Sequence, residues 1–259
     1  MEMRGKHPTI KLATPILFGI LLLGIGFMIS SHSVPSAYAS STRIAMFTPS
    51  PDSLMSVINN HLTSNDVIFS FSTGVVNKYP IETRTLLGQS FPAITQAITT
   101  AGSNSKPITF VGYDNEANNG NLSTPPSELV DPAASTNTAA DMVHHAGFKF
   151  AATPTRAILL NEYQGVQWSK VDMLVMQVQR ISAKDSSFVS IVTKVSSYVK
   201  GENPNTLIYT QVNPTFDTVA NIVSDVNSVR SSIDGVSIVC IPSQGCTSTM
   251  LDQLLTQLN

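Results

Sequence analysis

The chain beyond residue 40 alternates between apolar runs and segments with helical spacing, and this alternation constrains the fold more than any other feature. Strands that alternate with helices are typical of parallel sheets built from crossover connections. Apolar runs bounded by turn residues predict seven strands, near Arg43 to Thr48, Asp66 to Thr73, Ile108 to Asn115, Phe148 to Thr153, Val171 to Gln179, Thr206 to Asn213 and Gly235 to Ile241. Helical spacing predicts helices over Ser53 to Leu62, Thr85 to Ala101, Thr138 to His145, Phe188 to Val199, Thr218 to Ser232 and Thr249 to Leu258.

The predicted strands are nearly continuous in Val, Ile, Met and Phe, as expected when helices cover both faces of a parallel sheet. We therefore predict a single-domain TIM-like (β/α) barrel of seven or eight parallel strands. An eighth strand would fall near Val75 to Tyr79, in the long interval from Gly74 to Pro107. An open doubly wound sheet is the alternative, although Thr48-Pro-Ser-Pro51 stands where such folds carry a glycine-rich phosphate-binding turn.

Residues 1–39 have the order of a secretory signal: a basic stretch, an apolar stretch and a small-residue stretch. Ala37-Tyr-Ala39 predicts cleavage before Ser40. The alternative is an uncleaved membrane anchor, because residues 12–30 approach the ~20 residues that span a bilayer. In either case we expect the barrel domain of residues 40–259 to face outward, secreted or anchored at the cell surface, with the membrane as a partner only through this segment.

Charge and motifs exclude several classes of function. The chain has 15 Lys and Arg against 17 Asp and Glu, and its basic residues are scattered, whereas nucleic acids are bound by clustered cations. No Gly-x-Ser-x-Gly, His-Glu-x-x-His or phosphate-binding loop is present. His144 and His145 diverge on a helix, and the two cysteines have no further Cys or His nearby. We therefore expect no nucleic-acid partner, no metal site and no cofactor.

The two cysteines, Cys240 and Cys246, both lie in the outward-facing part of the chain. In an oxidising compartment they would form a disulfide that closes the small loop between them. The alternative is that Cys240, inside an apolar run, is a buried small hydrophobe.

Asp114 and Glu116 are the candidate catalytic residues. They end the apolar run that begins at Ile108, and since alternate residues of a strand share a face, both carboxylates point the same way. The carboxyl ends of the strands carry the active site in α/β barrels. Two acids this close would raise one pKa, so that Glu116 could be a general acid oriented by Asp114. Acids at strand ends can also be helix caps or partners of a lysine.

A glycosidase that uses two carboxylates would need a second acid from another strand. Asp172, Asp131 and Glu128 are the candidates, and none of them is obviously placed at the carboxyl end of a strand.

The same alternation of side chains along a strand predicts ligand-binding residues on two other strands. They are Gln177 and Gln179 on one, and Tyr209, Gln211 and Asn213 on the other. Amides and hydroxyls that both donate and accept hydrogen bonds suit a polyhydroxylated ligand such as a sugar. A stacking ring could come from Tyr113, Tyr163 or Trp168. Gln and Asn at these positions also occur as polar ends of strands without any ligand.

The segment Gly112-Tyr-Asp114-Asn-Glu116 resembles the second half of the Asp-x-x-Asp-x-Asp-x-Glu signature of family 18 chitinase-like barrels. The two earlier Asp positions of that signature fall on Thr109 and Gly112. The resemblance implies that Glu116 is the acid and that Asp114 supports it. The layout of residues 85–242 is also similar to secreted glycoside-hydrolase-like barrels of uncharacterised function.

The sequence thus predicts an exported barrel that hydrolyses or binds carbohydrate at the cell surface. The alternative is a non-catalytic barrel, a surface or binding protein that keeps the scaffold without turnover.

Overall fold

The computed structural model describes residues 42–47, 53–116, 124–179 and 187–259. The predicted signal segment of residues 1–39, cleaved or anchored, lies outside the described residues. Residues 41–259 form one structural unit. Within the described ranges, none of the helices has the length and hydropathy needed to cross a membrane.

Eight parallel strands close into a barrel in which each strand pairs with its neighbours in sequence and β1 pairs with β8. The predicted TIM-like fold is therefore confirmed, with the larger of the two strand counts. The strands are β1 (Arg43–Phe47), β2 (Val67–Ser70), β3 (Thr83–Gly88), β4 (Phe110–Tyr113), β5 (Lys149–Ala152), β6 (Met173–Met176), β7 (Leu207–Val212) and β8 (Gly235–Val239).

Helices surround the barrel, and most of them follow the predicted segments. They are α1 (Met55–His61), α2 (Thr73–Val76), α3 (Phe91–Gly102), α4 (Pro126–Leu129), α5 (Pro132–His145), α6 (Arg156–Glu162), α7 (Ser187–Glu202), α8 (Val219–Val229) and α9 (Ser248–Leu258). The short α2 and α4 and the seven-residue α6 have no counterpart in the sequence prediction.

The eighth strand is not where the sequence placed it. The residues around Val75 belong to α2 and the turn after it, whereas β3 occupies the start of the segment predicted as helix from Thr85. Gly88 is the reason that strand and helix can follow each other so closely. A Cβ on Gly88 would come within 2.7 Å of the Ile94 backbone nitrogen, so only glycine lets α3 fold back on β3 here.

The side chains inside the barrel form a core separate from the one between strands and helices. This inner core consists of Ala45, Val67, Phe69, Leu87, Phe110, Ala151, Met173, Val175 and Tyr209. Inward residues are odd-numbered on every strand except β4, where they are even-numbered. The even register of β4 continues toward Asp114 and Glu116, so it aims both of these side chains at the mouth of the barrel.

The disulfide prediction is confirmed. Cys240 and Cys246 are bonded, with their Cα atoms 5.3 Å apart. Gly245 in the enclosed loop has a φ of 92°, a conformation that glycine adopts without strain. The disulfide fixes the loop that follows β8, and two residues of this loop reach the cleft described below.

Candidate functional site

A cleft of about 820 Å³ opens at the carboxyl ends of the strands. Its two sides differ in chemistry. Strands β8, β1, β2 and β3 contribute a mainly apolar side, formed by Phe47, Phe69, Leu87, Val239 and Ile241. Strands β4 to β7 and their extensions contribute a mainly polar side, formed by Asp114, Glu116, Thr153, Thr155, Gln177, Gln179, Gln211 and Asn213. A ligand with both apolar faces and hydrogen-bonding edges would match this division.

Asp114 lies at the base of the polar side and is 6% exposed. Its Oδ1 accepts hydrogen bonds from Thr153 Oγ1 at 2.8 Å and from Gln177 Nε2 at 2.7 Å. Its Oδ2 accepts one from Gln89 Nε2 at 2.9 Å. All three donors are neutral, so they fix the orientation of the carboxyl group without supplying a compensating charge.

Burial, and after it the nearby charge of Glu116, raise the pKa of Asp114 to about 7, although the three hydrogen bonds act in the opposite direction. The sequence assigned the raised pKa to Glu116 as the proton donor. In the structure burial raises the pKa of Asp114, which is the more deeply buried of the two acids. Near neutral pH Asp114 can therefore hold or release a proton inside the cleft.

Glu116 lies nearer the opening and is partly exposed. Its backbone nitrogen donates a hydrogen bond of 3.0 Å to Oγ1 of Thr124, which is fully buried. This bond ties the end of β4 to the segment just before α4. Alternate residues on a strand have Cα atoms roughly 6.5 to 7 Å apart, so the two carboxyl groups are near neighbours on one wall of the cleft.

No second wall of the cleft carries an acid within the described ranges: Asp114 and Glu116 are the two carboxylates that line it. Asp172 accepts hydrogen bonds of 2.8 Å from His144 Nε2 and from the Phe150 backbone, at the amino end of β6. Asp131 caps α5 through the Ala134 nitrogen, 2.9 Å away. Neither residue is placed to act across a glycosidic bond from Glu116.

Glu128, the remaining candidate acid, is buried beneath the α3 amino terminus. It accepts a hydrogen bond of 2.8 Å from the Tyr113 hydroxyl and one of 3.1 Å from the Phe91 nitrogen. The predicted ligand contact of Tyr113 is therefore not supported, because its ring points away from the cleft into the core between strands and helices. Burial and the Glu128 carboxylate both raise the pKa of Tyr113, so this hydroxyl stays protonated.

The other predicted rings also lie outside the cleft. Tyr209 is fully buried in the inner core below it. Tyr163 and Trp168 are buried on the outside of the barrel, where Trp168 Nε1 donates to the Tyr163 carbonyl at 2.7 Å. The four predicted amides, in contrast, come together in the cleft lining: Gln177, Gln179, Gln211 and Asn213.

Helix α6 forms a wall of the cleft that the sequence prediction missed. It presents Arg156, Ala157, Leu160 and Asn161 to the cleft. The signal was available, because Pro154-Thr155 precedes a run of good helix formers, which is a helix-start pattern. The ring of Phe216, which is 44% exposed, also lines the cleft and was missed.

Across the described part of the chain, no group of three or more His, Cys, Asp or Glu is placed to hold a metal ion. The groups available to a ligand in the cleft are therefore carboxylates, amides, hydroxyls, one guanidinium and aromatic rings.

Solved structures with this fold include two bacterial chitinases. One, from Chromobacterium violaceum, is 8% identical, with a TM-score of 0.51, and the match covers 84% of this chain and 98% of that one. A class V chitinase from Pseudomonas fluorescens is 10% identical, with a TM-score of 0.50 and coverage of 84% and 100%. RipC from Yersinia pestis is 13% identical, with a TM-score of 0.48 and coverage of 84% and 95%. For the two chitinases, similarity at this level of identity shows a shared fold.

No family model matches this sequence, and no curated protein matches it.

Proposed function

We propose that this chain is an exported glycoside hydrolase that binds a glycan in the cleft, with Glu116 as general acid and Asp114 as its positioning partner. One observation carries the proposal: two acids lie two residues apart at the end of β4, both line the cleft, and the inner one has a pKa of about 7. Perturbed carboxyl groups in clefts are typical of acid–base catalysis. The disulfide is compatible with the export that the first 39 residues predict.

Glu116 and Asp114 have different roles in proton transfer. Glu116 protonates the oxygen of the departing sugar as the glycosidic bond breaks. It then becomes a carboxylate next to Asp114, and two adjacent charges in a buried site would oppose this step. Because Asp114 is protonated below about pH 7, it is neutral and can donate a hydrogen bond to the Glu116 carboxylate. Gln89, Thr153 and Gln177 hold it in place for this role.

The position of both acids on one strand also limits the mechanism. Glycosidases with two catalytic carboxylates place them on opposite sides of the scissile bond. In the described cleft lining no acid lies opposite Glu116, and we infer that the substrate supplies the nucleophile. An acetamido group on C2 of the sugar supplies one, because its carbonyl oxygen can attack C1 as the leaving oxygen takes the Glu116 proton. Water then adds at C1 and returns a proton to Glu116.

The second candidate function is glycan binding without turnover. The absence of a third carboxylate among the described lining residues favours it, as does the occurrence of Thr109 and Gly112 at the two earlier Asp positions of the chitinase-like signature.

Hydrolysis of 2-acetamido oligosaccharides by residues 40–259 tests the proposal, with the wild type compared with Glu116→Gln. Loss of a general acid lowers kcat by about 10²- to 10⁴-fold, whereas glycan binding by the variant is expected to persist. The control is Glu202→Gln, which removes an exposed carboxylate at the end of α7, away from the cleft. Glycan binding without turnover by the wild type would leave the second function and remove the first.

A further inference from the structure

Arg156 is the one Lys or Arg that lines the cleft within the described ranges. It is exposed at the start of α6, and no ion pair or hydrogen bond to another described residue holds its guanidinium. Two lysines elsewhere in the described chain have acidic partners: Lys170 pairs with Asp141 at 2.7 Å, and Lys200 with Asp234 at 2.8 Å. Arg156 is thus a cation in the cleft without an acidic partner among the described residues.

The backbone places Arg156 beside the catalytic strand. The Thr155 nitrogen donates a hydrogen bond of 3.1 Å to the Asn115 carbonyl, in the extension of β4 that carries Glu116. The Thr155 Oγ1 atom is buried and has no hydrogen-bond partner, and this residue also lines the cleft. The residue directly before Arg156 therefore has a buried hydroxyl without a partner among the described residues.

Asp114 does not neutralise Arg156. Asp114 is bonded to neutral donors alone, and burial and Glu116 favour its neutral form up to about pH 7. A guanidinium offers a planar fork of N–H groups that matches the two oxygens of a carboxylate. An unpaired fork at the wall of a binding cleft is the arrangement that recognises a carboxylate on a ligand.

Further along the polar side of the cleft, β7 carries groups of a different kind. Gln211 is 7% exposed, and no side-chain hydrogen bond engages its amide. Asn213 uses its Oδ1 to accept hydrogen bonds from Thr215, at 2.9 Å from the nitrogen and 2.7 Å from Oγ1. The unengaged amide groups suit the hydroxyls of a neutral sugar. The polar side of the cleft therefore has a cation at the α6 wall and neutral amides on β7.

We propose that the glycan carries a carboxylate on a sugar next to the cleaved bond, and that Arg156, helped by the Thr155 hydroxyl, binds it. This inference rests on the proposed function and names its substrate class: a glycan in which a 2-acetamido sugar adjoins an acidic one. A uronic acid and the lactyl ether of a muramic acid both present this carboxylate, so the two sources share the chemistry and are separated by experiment.

The test measures binding to the Glu116→Gln variant of the full chain, so that recognition is separated from turnover. The uronic-acid probe is a hyaluronan tetrasaccharide, and its matched neutral probe is the same tetrasaccharide with the carboxyl groups reduced to hydroxymethyl. The muramic-acid probe is a peptide-free N-acetylglucosamine–N-acetylmuramic acid tetrasaccharide, compared with its lactyl amide. At least one acidic probe is expected to bind about 10- to 100-fold more tightly than its neutral partner, the range of a charge-assisted hydrogen bond.

Adding Arg156→Gln should abolish that preference, so that the affinities for each acidic probe and its neutral partner agree within about threefold. The control adds Arg230→Gln instead, which removes the same charge beyond the end of α8 and should keep the preference. Equal binding of acidic and neutral probes, a preference that survives Arg156→Gln, or no binding of either acidic probe overturns the inference. Failure of the proposed function is seen separately, as absence of hydrolysis of any 2-acetamido glycan by the wild type.

Discussion

Replacing Asp114 by Asn should change how the stability of the protein depends on pH. The side chain is buried at the base of the cleft, and its pKa is raised from 3.8 to about 7. In this pH interval the folded chain holds a proton on Asp114 that the unfolded chain has released. The stability that this group contributes is therefore fully present below about pH 4 and is lost as pH rises to about 7. Asparagine does not titrate and removes this dependence.

The magnitude follows from the shift. About 3 pH units at about 1.4 kcal/mol each give an upper limit of about 4 kcal/mol for the fall in the free energy of unfolding. Urea titrations of wild type and Asp114→Asn from pH 4 to 8 measure this term as the change in the stability difference between the two proteins. We expect the difference to move in favour of the variant as pH rises, and to level off above about pH 7.

Two further variants check the cause. Glu116→Gln removes the second contribution to the raised pKa of Asp114, so the fall should become smaller and shift to lower pH. Glu202→Gln controls for the loss of one negative charge at an exposed site. A stability difference between wild type and Asp114→Asn that does not vary with pH would refute the assignment of a protonated, buried Asp114.

Three other substitutions test the surroundings of the site, each by urea denaturation. Gly112→Val should destabilise the fold by about 1–3 kcal/mol, because a Cβ at this position would lie 2.6 Å from Leu87 Cδ2 inside the barrel; an unchanged midpoint would contradict this packing. Tyr113→Phe should cost about 1–3 kcal/mol, since it removes one of the donors to buried Glu128, and the control is Tyr198→Phe, at a partly buried ring that packs edge-on against Tyr163. Cys240→Ser with Cys246→Ser should cost about 2 kcal/mol by freeing a short loop in the unfolded chain, and equal stability of reduced and oxidised wild type would argue against that.

The barrel could be predicted from the sequence because its strands are short apolar runs and its helices have clear spacing. The strand Thr83–Gly88 was not predicted, because its two leucines fit a helical pattern as well as a strand. Pairing with β2 and β4 makes this segment a strand, and the sequence of the segment does not reveal that pairing. Helix α6 was not predicted, because seven residues are too few to show a clear helical spacing. The start signal was the main evidence for this helix.

The parity of β4 was sufficient to predict that Asp114 and Glu116 share a face, since that depends on local geometry alone. Strand parity likewise placed the four amides. The roles of individual side chains could be assigned only from the three-dimensional structure. The raised pKa of Asp114 depends on burial by other strands, and the turn of Tyr113 toward Glu128 depends on a contact across 15 positions of sequence. Neither the raised pKa nor the orientation of Tyr113 can be predicted from the spacing of residues along the sequence.

The stereochemistry of the product tests the central claim most directly. Hydrolysis of a 2-acetamido glycoside by the wild-type protein can be followed by proton NMR of the anomeric signal before the sugar mutarotates. A nucleophile supplied by the substrate on the side opposite Glu116 gives two displacements at C1, so the first product should retain the configuration of the substrate. A first product of inverted configuration would mean that water attacks directly with the help of another base, and it would contradict the roles assigned to Glu116 and Asp114.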